Sequence, residues 1–121
     1  MAALYTIVNK NLDKAQHKLD ANVELNIDHD IFKGHFPSQP VLPGVCQVQM
    51  VEQLLSAETG MMLKLDAASN IKYLKMVDPH TDTLLNFSIN FQVNEAGLKV
   101  TALLKSQEEV CMKAKLNFKI L

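Results

Sequence analysis

Residues 32–49 read FKGHFPSQPVLPGVCQVQ and join a proline-rich loop to the start of an apolar helix. Pro37, Pro40 and Pro43 follow His35 at three-residue spacing. Prolines restrict the backbone φ angles of a loop, which lowers the entropy cost of holding the imidazole ring in one place. The stretch therefore predicts a rigid loop that aims a titratable side chain at the N-terminus of a helix.

The helical pattern spans Gly44–Thr59, and Gly60 is typical of a C-terminal helix stop. Apolar residues cover most of the helix circumference, so we expect this helix to be buried on most sides. The expected stripe comprises Val45, Val48, Val51 or Glu52, and Leu55, and it is widened by Cys46, Met50, Leu54 and Ala57.

The rest of the chain reads as strands, because short segments alternate apolar and polar residues or are rich in β-branched ones. Two precede the helix and four follow it as a meander, with residues 28–42 as a loop. One antiparallel sheet wrapped around one long helix satisfies this order, so we predict a single α+β domain over residues 1–121. Its open sheet edge favours a dimer. The predicted strands are residues 4–8, 17–27, 68–77, 83–93, 97–105 and 109–120.

The composition excludes several classes of partner. The chain has 121 residues and a formal net charge of −1, so no overall positive field attracts nucleic acid or an anionic membrane. All twelve basic residues are lysines, which rules out bidentate arginine recognition of phosphate. No apolar run approaches the roughly 20 residues of a membrane span, and the two cysteines lack metal-ligand spacing. We expect a cytoplasmic protein with no structural disulfides.

His35 and Gly44 together suggest acyl chemistry. Histidine titrates near neutrality and can accept a proton. Gly44 leaves room for a ligand at the start of the helix, where free amides and the helix dipole stabilise negative charge on a carbonyl oxygen. This pairing predicts removal of an α-proton from an ester or thioester. The alternative is that His35 only forms a hydrogen bond within a turn.

Residues 34–37 and 40–45, with His35 and Gly44 at this spacing, resemble the signature of β-hydroxyacyl-[acyl carrier protein] dehydratases of the FabA/FabZ type. Residues 70–77 are similar to the strand that follows the helix in that family. The resemblance implies a hot-dog fold, a role in fatty acid biosynthesis, and acyl thioester substrates on an acyl carrier protein or coenzyme A. It also implies a dimer with two active sites at its interface. This chemistry requires no cofactor or metal.

The resemblance assigns roles to individual positions. It makes His35 the base, the Val41 carbonyl the group that orients His35, and the Gly44 amide the donor to the thioester oxygen. Gln49 occupies the position of the family's acid, which is usually Glu or Asp. The remaining expected substrate contacts are Phe36, Pro43, Val45 and Gln53.

Gln49 leaves three functions open, because an amide can form hydrogen bonds but cannot protonate a leaving hydroxyl as a carboxyl group does. The first possibility is a hydro-lyase. In it, either His35 returns its proton to the leaving hydroxyl group, or Glu52, three residues beyond Gln49, replaces the acid. Alternatively, it is an acyl-thioester-binding module or the heterodimer partner of an active dehydratase. The third possibility is an acyl thioesterase.

Other patterns suggest lesser roles. Asp28, His29, Asp30 and His35 match no standard zinc motif. Cys46 is interpreted as a small core residue rather than a thiol activated by the helix dipole. Met61 and Met62 either line an acyl pocket or fill the core. Three lysines are candidates for attracting an acidic carrier protein, namely Lys33, Lys72 and Lys75.

Overall fold

The computed structural model describes residues 3–34 and 39–121. Its six strands form one antiparallel sheet in the order β1-β2-β4-β5-β6-β3, and the predicted α+β class is confirmed. The elements are β1 (Tyr5–Asp13), β2 (Lys18–Leu25), α1 (Ile31–Gly34), α2 (Gly44–Thr59), β3 (Leu63–Tyr73), β4 (Leu84–Asn94), β5 (Gly97–Ser106) and β6 (Glu109–Ile120).

The predicted four-strand meander is wrong at its first strand. Only β4, β5 and β6 are consecutive neighbours, whereas β3 crosses to the far edge and pairs with β6. In that pairing Leu63 lies opposite Ile120, and Tyr73 lies opposite Met112. Alternation identifies a strand from its own residues, but it carries no information about which distant strand pairs with it.

Several predicted boundaries also shift. The first strand extends beyond residue 8 to Asp13, and the third runs over Leu63–Tyr73 rather than 68–77. Both are edge strands with largely exposed side chains, so neither needs the apolar alternation that marks a half-buried strand. The second strand begins at Lys18, after His17 in the left-handed region at φ 52°.

A short helix, α1, interrupts the region predicted to be loop. It spans Ile31–Gly34, and its first amide is capped because Ile31 N–H donates to His29 Nδ1 at 3.0 Å. The prediction of a loop depended on Gly34 and the three prolines, all of which lie at or beyond the end of this single turn. A helix of four residues is too short for a periodic sequence signal.

The core lies between one face of the sheet and α2. The predicted alternation is confirmed in β2 and β5, whose alternate residues from Leu19 and from Leu98 are buried. The predicted stripe of α2 is correct at its centre and wrong at its ends, because Val45 is 65% exposed and Ala57 is also exposed. The sheet covers only the face of α2 that carries Cys46, Val48, Met50, Val51, Leu54 and Leu55.

The start and end of α2 follow the predicted signals. Pro43 is the N-cap with φ −60° and ψ 147°, and Gly60 follows the last helical residue at φ 73°. The Gly60 amide donates to Ser56 O at 3.0 Å, which closes the final turn. No helix in the described residues is long and apolar enough to span a membrane.

Candidate active site

The first turn of α2 presents two backbone amides. Cys46 N–H and Gln47 N–H donate to Pro43 O at 3.1 and 3.2 Å, and these are the first bonds of the helix. Gly44 N–H and Val45 N–H have no acceptor among residues 3–34 and 39–121. Free amides at a helix start attract an oxygen that bears negative charge, because the helix dipole adds to their own polarity.

A groove of about 430 Å³ lies beside these amides, and we call it the helix-start groove. Hydrogen bonds hold its two walls in place: Leu42 N–H donates to Val77 O at 2.9 Å, and Leu74 N–H donates to Cys111 O at 2.8 Å. The groove is lined by Val41, Leu42, Pro43, Gly44, Gln47, Tyr73, Leu74, Lys75 and Met76.

The Tyr73 ring lies directly against Gly44. A Cβ at residue 44 would come within 2.5 Å of Tyr73 Cζ and 2.6 Å of its hydroxyl oxygen. The space that the sequence analysis assigned to a ligand is therefore filled by Tyr73, although this side chain is 50% exposed. Burial raises the pKa of the Tyr73 hydroxyl. Glycine at position 44 is explained by this contact.

Gly44→Ala is expected to lower the free energy of unfolding by at most about 1 kcal/mol, because the new methyl group would overlap the Tyr73 ring but this half-exposed ring can rotate outward. In a Tyr73→Ser background the same change should be neutral or stabilising by up to about 1 kcal/mol, since alanine favours helix over glycine. Urea unfolding of the four proteins measures this coupling. An equal loss in both backgrounds would refute the contact.

Gln47 also lines the helix-start groove and was missed by the sequence analysis. Its side chain is 3% exposed, and its Nε2 donates to Leu42 O at 3.2 Å. Its buried Oε1 accepts no hydrogen bond from any residue the structure describes. The sequence did contain a signal for Gln47, because a polar residue beside the apolar stripe of a buried helix is expected to be buried with it.

Gln49 lies in a different groove, of about 730 Å³, between α2, α1 and β1. Gln53 lines the same groove, and its Oε1 accepts a hydrogen bond from the Tyr5 hydroxyl at 2.9 Å. Glu52, the possible replacement acid, does not line it. Within one chain the structure therefore separates Gln49 from the helix-start groove that contains Gly44.

The other expected site residues have different positions. Val41 and Pro43 line the helix-start groove with Gly44, whereas Val45 lines neither groove. His35 and Phe36 lie outside the described residues.

The lesser expectations differ in outcome. Cys46 is buried, and burial raises the pKa of its thiol, which fits a core residue and opposes an activated nucleophile. Met61 packs against the core, whereas Met62 is exposed. No three His, Cys, Asp or Glu side chains in the described ranges could hold a metal ion. Lys33 is exposed and 3.9 Å from Asp30.

Lys75 is engaged in a polar network rather than free to attract a carrier. Its ammonium group lies 3.1 Å from Asp82 and 3.3 Å from Glu109. Asp82 is 3% exposed and also accepts hydrogen bonds from Ser106 Oγ at 2.7 Å and Asp78 N–H at 2.9 Å. The network fixes the segment after β3 that forms one wall of the helix-start groove.

Asp82 couples this network to pH. Burial alone would raise the pKa of its carboxyl group, but the bonds from Ser106, the Asp78 amide and Lys75 outweigh burial and hold the pKa below its usual value. A carboxylate with a lowered folded-state pKa stabilises the fold above the unfolded pKa of about 3.9. That contribution is lost as the pH falls through the folded-state pKa.

Asp82→Asn is therefore expected to lower the free energy of unfolding by about 1–3 kcal/mol at neutral pH, because charge-assisted hydrogen bonds are lost. The difference from wild type should shrink as the pH falls below about 4. Urea unfolding at several pH values measures both effects. Asp66→Asn is the matched control, because Asp66 forms an exposed pair with Lys119 at 3.4 Å and no other ion pair within residues 3–34 and 39–121. A difference that persists undiminished in acid would exclude this role.

Comparisons with known proteins point to a family of dehydratases. A family model described as ApeI-like, ApeI dehydratase, matches residues 11–115. A 3-hydroxyacyl-[acyl-carrier-protein] dehydratase FabZ from Lactobacillus helveticus (strain DPC 4571) is 31% identical over 104 residues, which are 78% of this chain and 68% of the relative.

A FabZ from Lactococcus lactis subsp. lactis (strain IL1403) is 27% identical over 89 residues, or 68% of this chain. The match spans 62% of the length of that relative.

Solved structures confirm the hot-dog fold. The dehydratase heterocomplex ApeI:P from Xenorhabdus doucetiae aligns with a TM-score of 0.79 and 22% identity, and covers 94% of this chain and 96% of that one. An uncharacterized protein from Erwinia carotovora subsp. atroseptica aligns with a TM-score of 0.77 and 18% identity, and covers 98% of both chains. At these identities the likeness establishes the fold.

Proposed function

The chain belongs to the ApeI-like dehydratase family, and on this premise we propose that it eliminates water from 3-hydroxyacyl thioesters. The observation that carries this proposal is the helix-start groove, which Gly44 lines at the start of α2 and where the Gly44 amide has no acceptor among the described residues. The acyl group is delivered as a thioester of an acyl carrier protein or coenzyme A in the cytoplasm.

In the proposed reaction, the thioester carbonyl oxygen accepts a hydrogen bond from Gly44 N–H. His35 removes the α-proton, and negative charge develops on the carbonyl oxygen, where the helix amides stabilise it. The electron pair of the broken C–H bond then forms the α,β double bond, and the bond between the β-carbon and the 3-hydroxyl oxygen breaks. As this bond breaks, the His35 imidazolium gives its proton to the oxygen, which leaves as water.

Entry of the substrate requires movement of Tyr73. Its ring lies against Gly44 and fills space beside this residue that a bound acyl group would need. Because half of the side chain is exposed, it can rotate outward without unpacking the core. Its departure would open the groove to the acyl group.

A dimer completes the site in this proposal. Gln49 and Gly44 lie in different grooves of one chain, so a site that uses both takes them from different chains. β3 is an edge strand, and all its residues except Leu63 and Ile71 are exposed, which suits pairing with another chain. His35 and Gly44 would come from one protomer and Gln49 from its partner.

The absence of a carboxylate at Gln49 favours a second candidate, in which the partner is a related dehydratase. That partner would contribute the acid to the site containing this chain's His35. The ApeI:P structure is itself a heterocomplex, which supports the possibility for a similar fold.

The reaction can be tested with purified protein and crotonyl-pantetheine, run in the hydration direction. We expect 3-hydroxybutyryl-pantetheine as the product, identified by mass spectrometry. Release of free pantetheine thiol would overturn the proposal in favour of a thioesterase. If the protein bound the thioester without turnover and turnover began when a related dehydratase was added, the chain would be assigned to the heterodimer.

A further inference from the structure

The buried side-chain amide of Gln47 has only one of its two polar groups bonded within the described fold, and the reaction above assigns it no role. Its Nε2 donates to Leu42 O, whereas its Oε1 has no donor in the described part of the chain. Only the NH₂ group can donate to a carbonyl, so the bond to Leu42 O fixes which end of the amide is which. A buried acceptor without a partner is rare and costly, and the residue that carries this one lines the helix-start groove.

The position of Gln47 relative to Gly44 suggests what supplies the missing donor. The two residues are three apart on α2, so they share a helix face and lie about 4.5 Å apart along the axis. Gly44 is partly exposed and Gln47 is buried, so the groove leads inward from Gly44 to Gln47. A thioester held at Gly44 would direct its acyl carbons toward Gln47 and its carrier arm toward solvent.

We propose that Gln47 Oε1 accepts a hydrogen bond from the 3-hydroxyl group of the bound acyl chain. This inference rests on the proposed function, which places the acyl carbonyl at Gly44. The 3-hydroxyl is the one O–H donor of a simple 3-hydroxyacyl group, and it lies two carbons beyond the carbonyl carbon. The distance between the carbonyl oxygen and the 3-hydroxyl oxygen is comparable to the rise of about 4.5 Å along the helix axis from Gly44 to Gln47.

This bond makes Gln47 a determinant of specificity. A 3-oxoacyl thioester would bring a second acceptor oxygen against Gln47 Oε1, and neither oxygen could then be satisfied. A site built to bind a hydroxyl group rejects an analogue that lacks it, because its own buried group is left unpaired. The site would therefore select 3-hydroxyacyl over 3-oxoacyl thioesters before any bond is broken.

Isothermal titration calorimetry with amide analogues of acyl-pantetheine tests this inference without turnover. The 3-hydroxybutyryl, 3-oxobutyryl and butyryl amides would be titrated into wild type, Gln47→Leu and Gln92→Leu. Gln92 is an exposed residue of β4, so it is a matched control. Gln47→Met serves if Gln47→Leu does not fold.

We expect wild type and Gln92→Leu to bind the 3-hydroxybutyryl amide about tenfold or more tightly than the 3-oxobutyryl amide. Gln47→Leu should bring that ratio close to one and still bind the butyryl amide. A ratio that Gln47→Leu leaves unchanged, or no preference in wild type, would overturn the role of Gln47 while leaving the dehydratase intact. Failure of wild type to bind any of the three would overturn the proposed function itself.

Discussion

Replacing His35 by alanine is expected to lower the rate of enoyl-thioester hydration by about 10²–10⁴-fold, the usual contribution of a general base. The α-proton of a thioester is weakly acidic, so its removal requires a base. No other described side chain of the helix-start groove is a neutral base near pH 7. Steady-state kinetics with crotonyl-pantetheine measure the effect, which should fall on kcat more than on KM.

His80→Ala is the matched control for His35→Ala. His80 is an exposed residue in the turn between β3 and β4, where its backbone amide, not its ring, donates to Asp78. Its loss should leave the rate within about twofold of wild type, as expected for a surface substitution. If His35→Ala retained full activity with an unchanged fold, His35 would not be the base.

Gln49→Glu is expected to raise the dehydration rate by about 10²-fold or more in the proposed homodimer, because it introduces a group that can protonate the departing hydroxyl. Gln49 is exposed at the edge of its groove, so the change creates no buried charge within the protomer. The measurement is kcat for 3-hydroxybutyryl-pantetheine, beside the mass of the assembly in solution.

Gln92→Glu adds the same charge on the exposed side of β4 and should leave kcat unchanged. An increase confined to Gln49→Glu would show that the glutamine limits turnover in the proposed homodimer. A fall in rate, with the dimer intact, would mean that Gln49 itself binds the substrate through its amide.

The local features of the fold were predictable, because short-range chemistry determines them. Pro43 cannot donate a backbone hydrogen bond and Gly60 adopts the left-handed conformation, so both ends of α2 follow from single residues. The buried side of β2 follows from strict alternation that begins at Leu19. The motif at residues 34–45 identified the family through residues that lie together in the sequence.

The features that were missed depend on contacts between distant segments. The place of β3 beside β6 is set by pairing across the whole sheet, which no local pattern reports. Tyr73 fills the space beside Gly44, although 29 positions separate them in the chain. Helical periodicity puts Gln47 and Gln49 on different faces of α2, but it does not say which face meets the helix-start groove.

A crystal structure with the 3-hydroxybutyryl amide of pantetheine bound would show whether Gly44 holds the acyl carbonyl group. We expect the carbonyl oxygen about 2.9 Å from Gly44 N, the α-carbon beside the His35 ring, and Tyr73 rotated away from Gly44. An acyl chain bound elsewhere, with Tyr73 still packed on Gly44, would contradict this expectation.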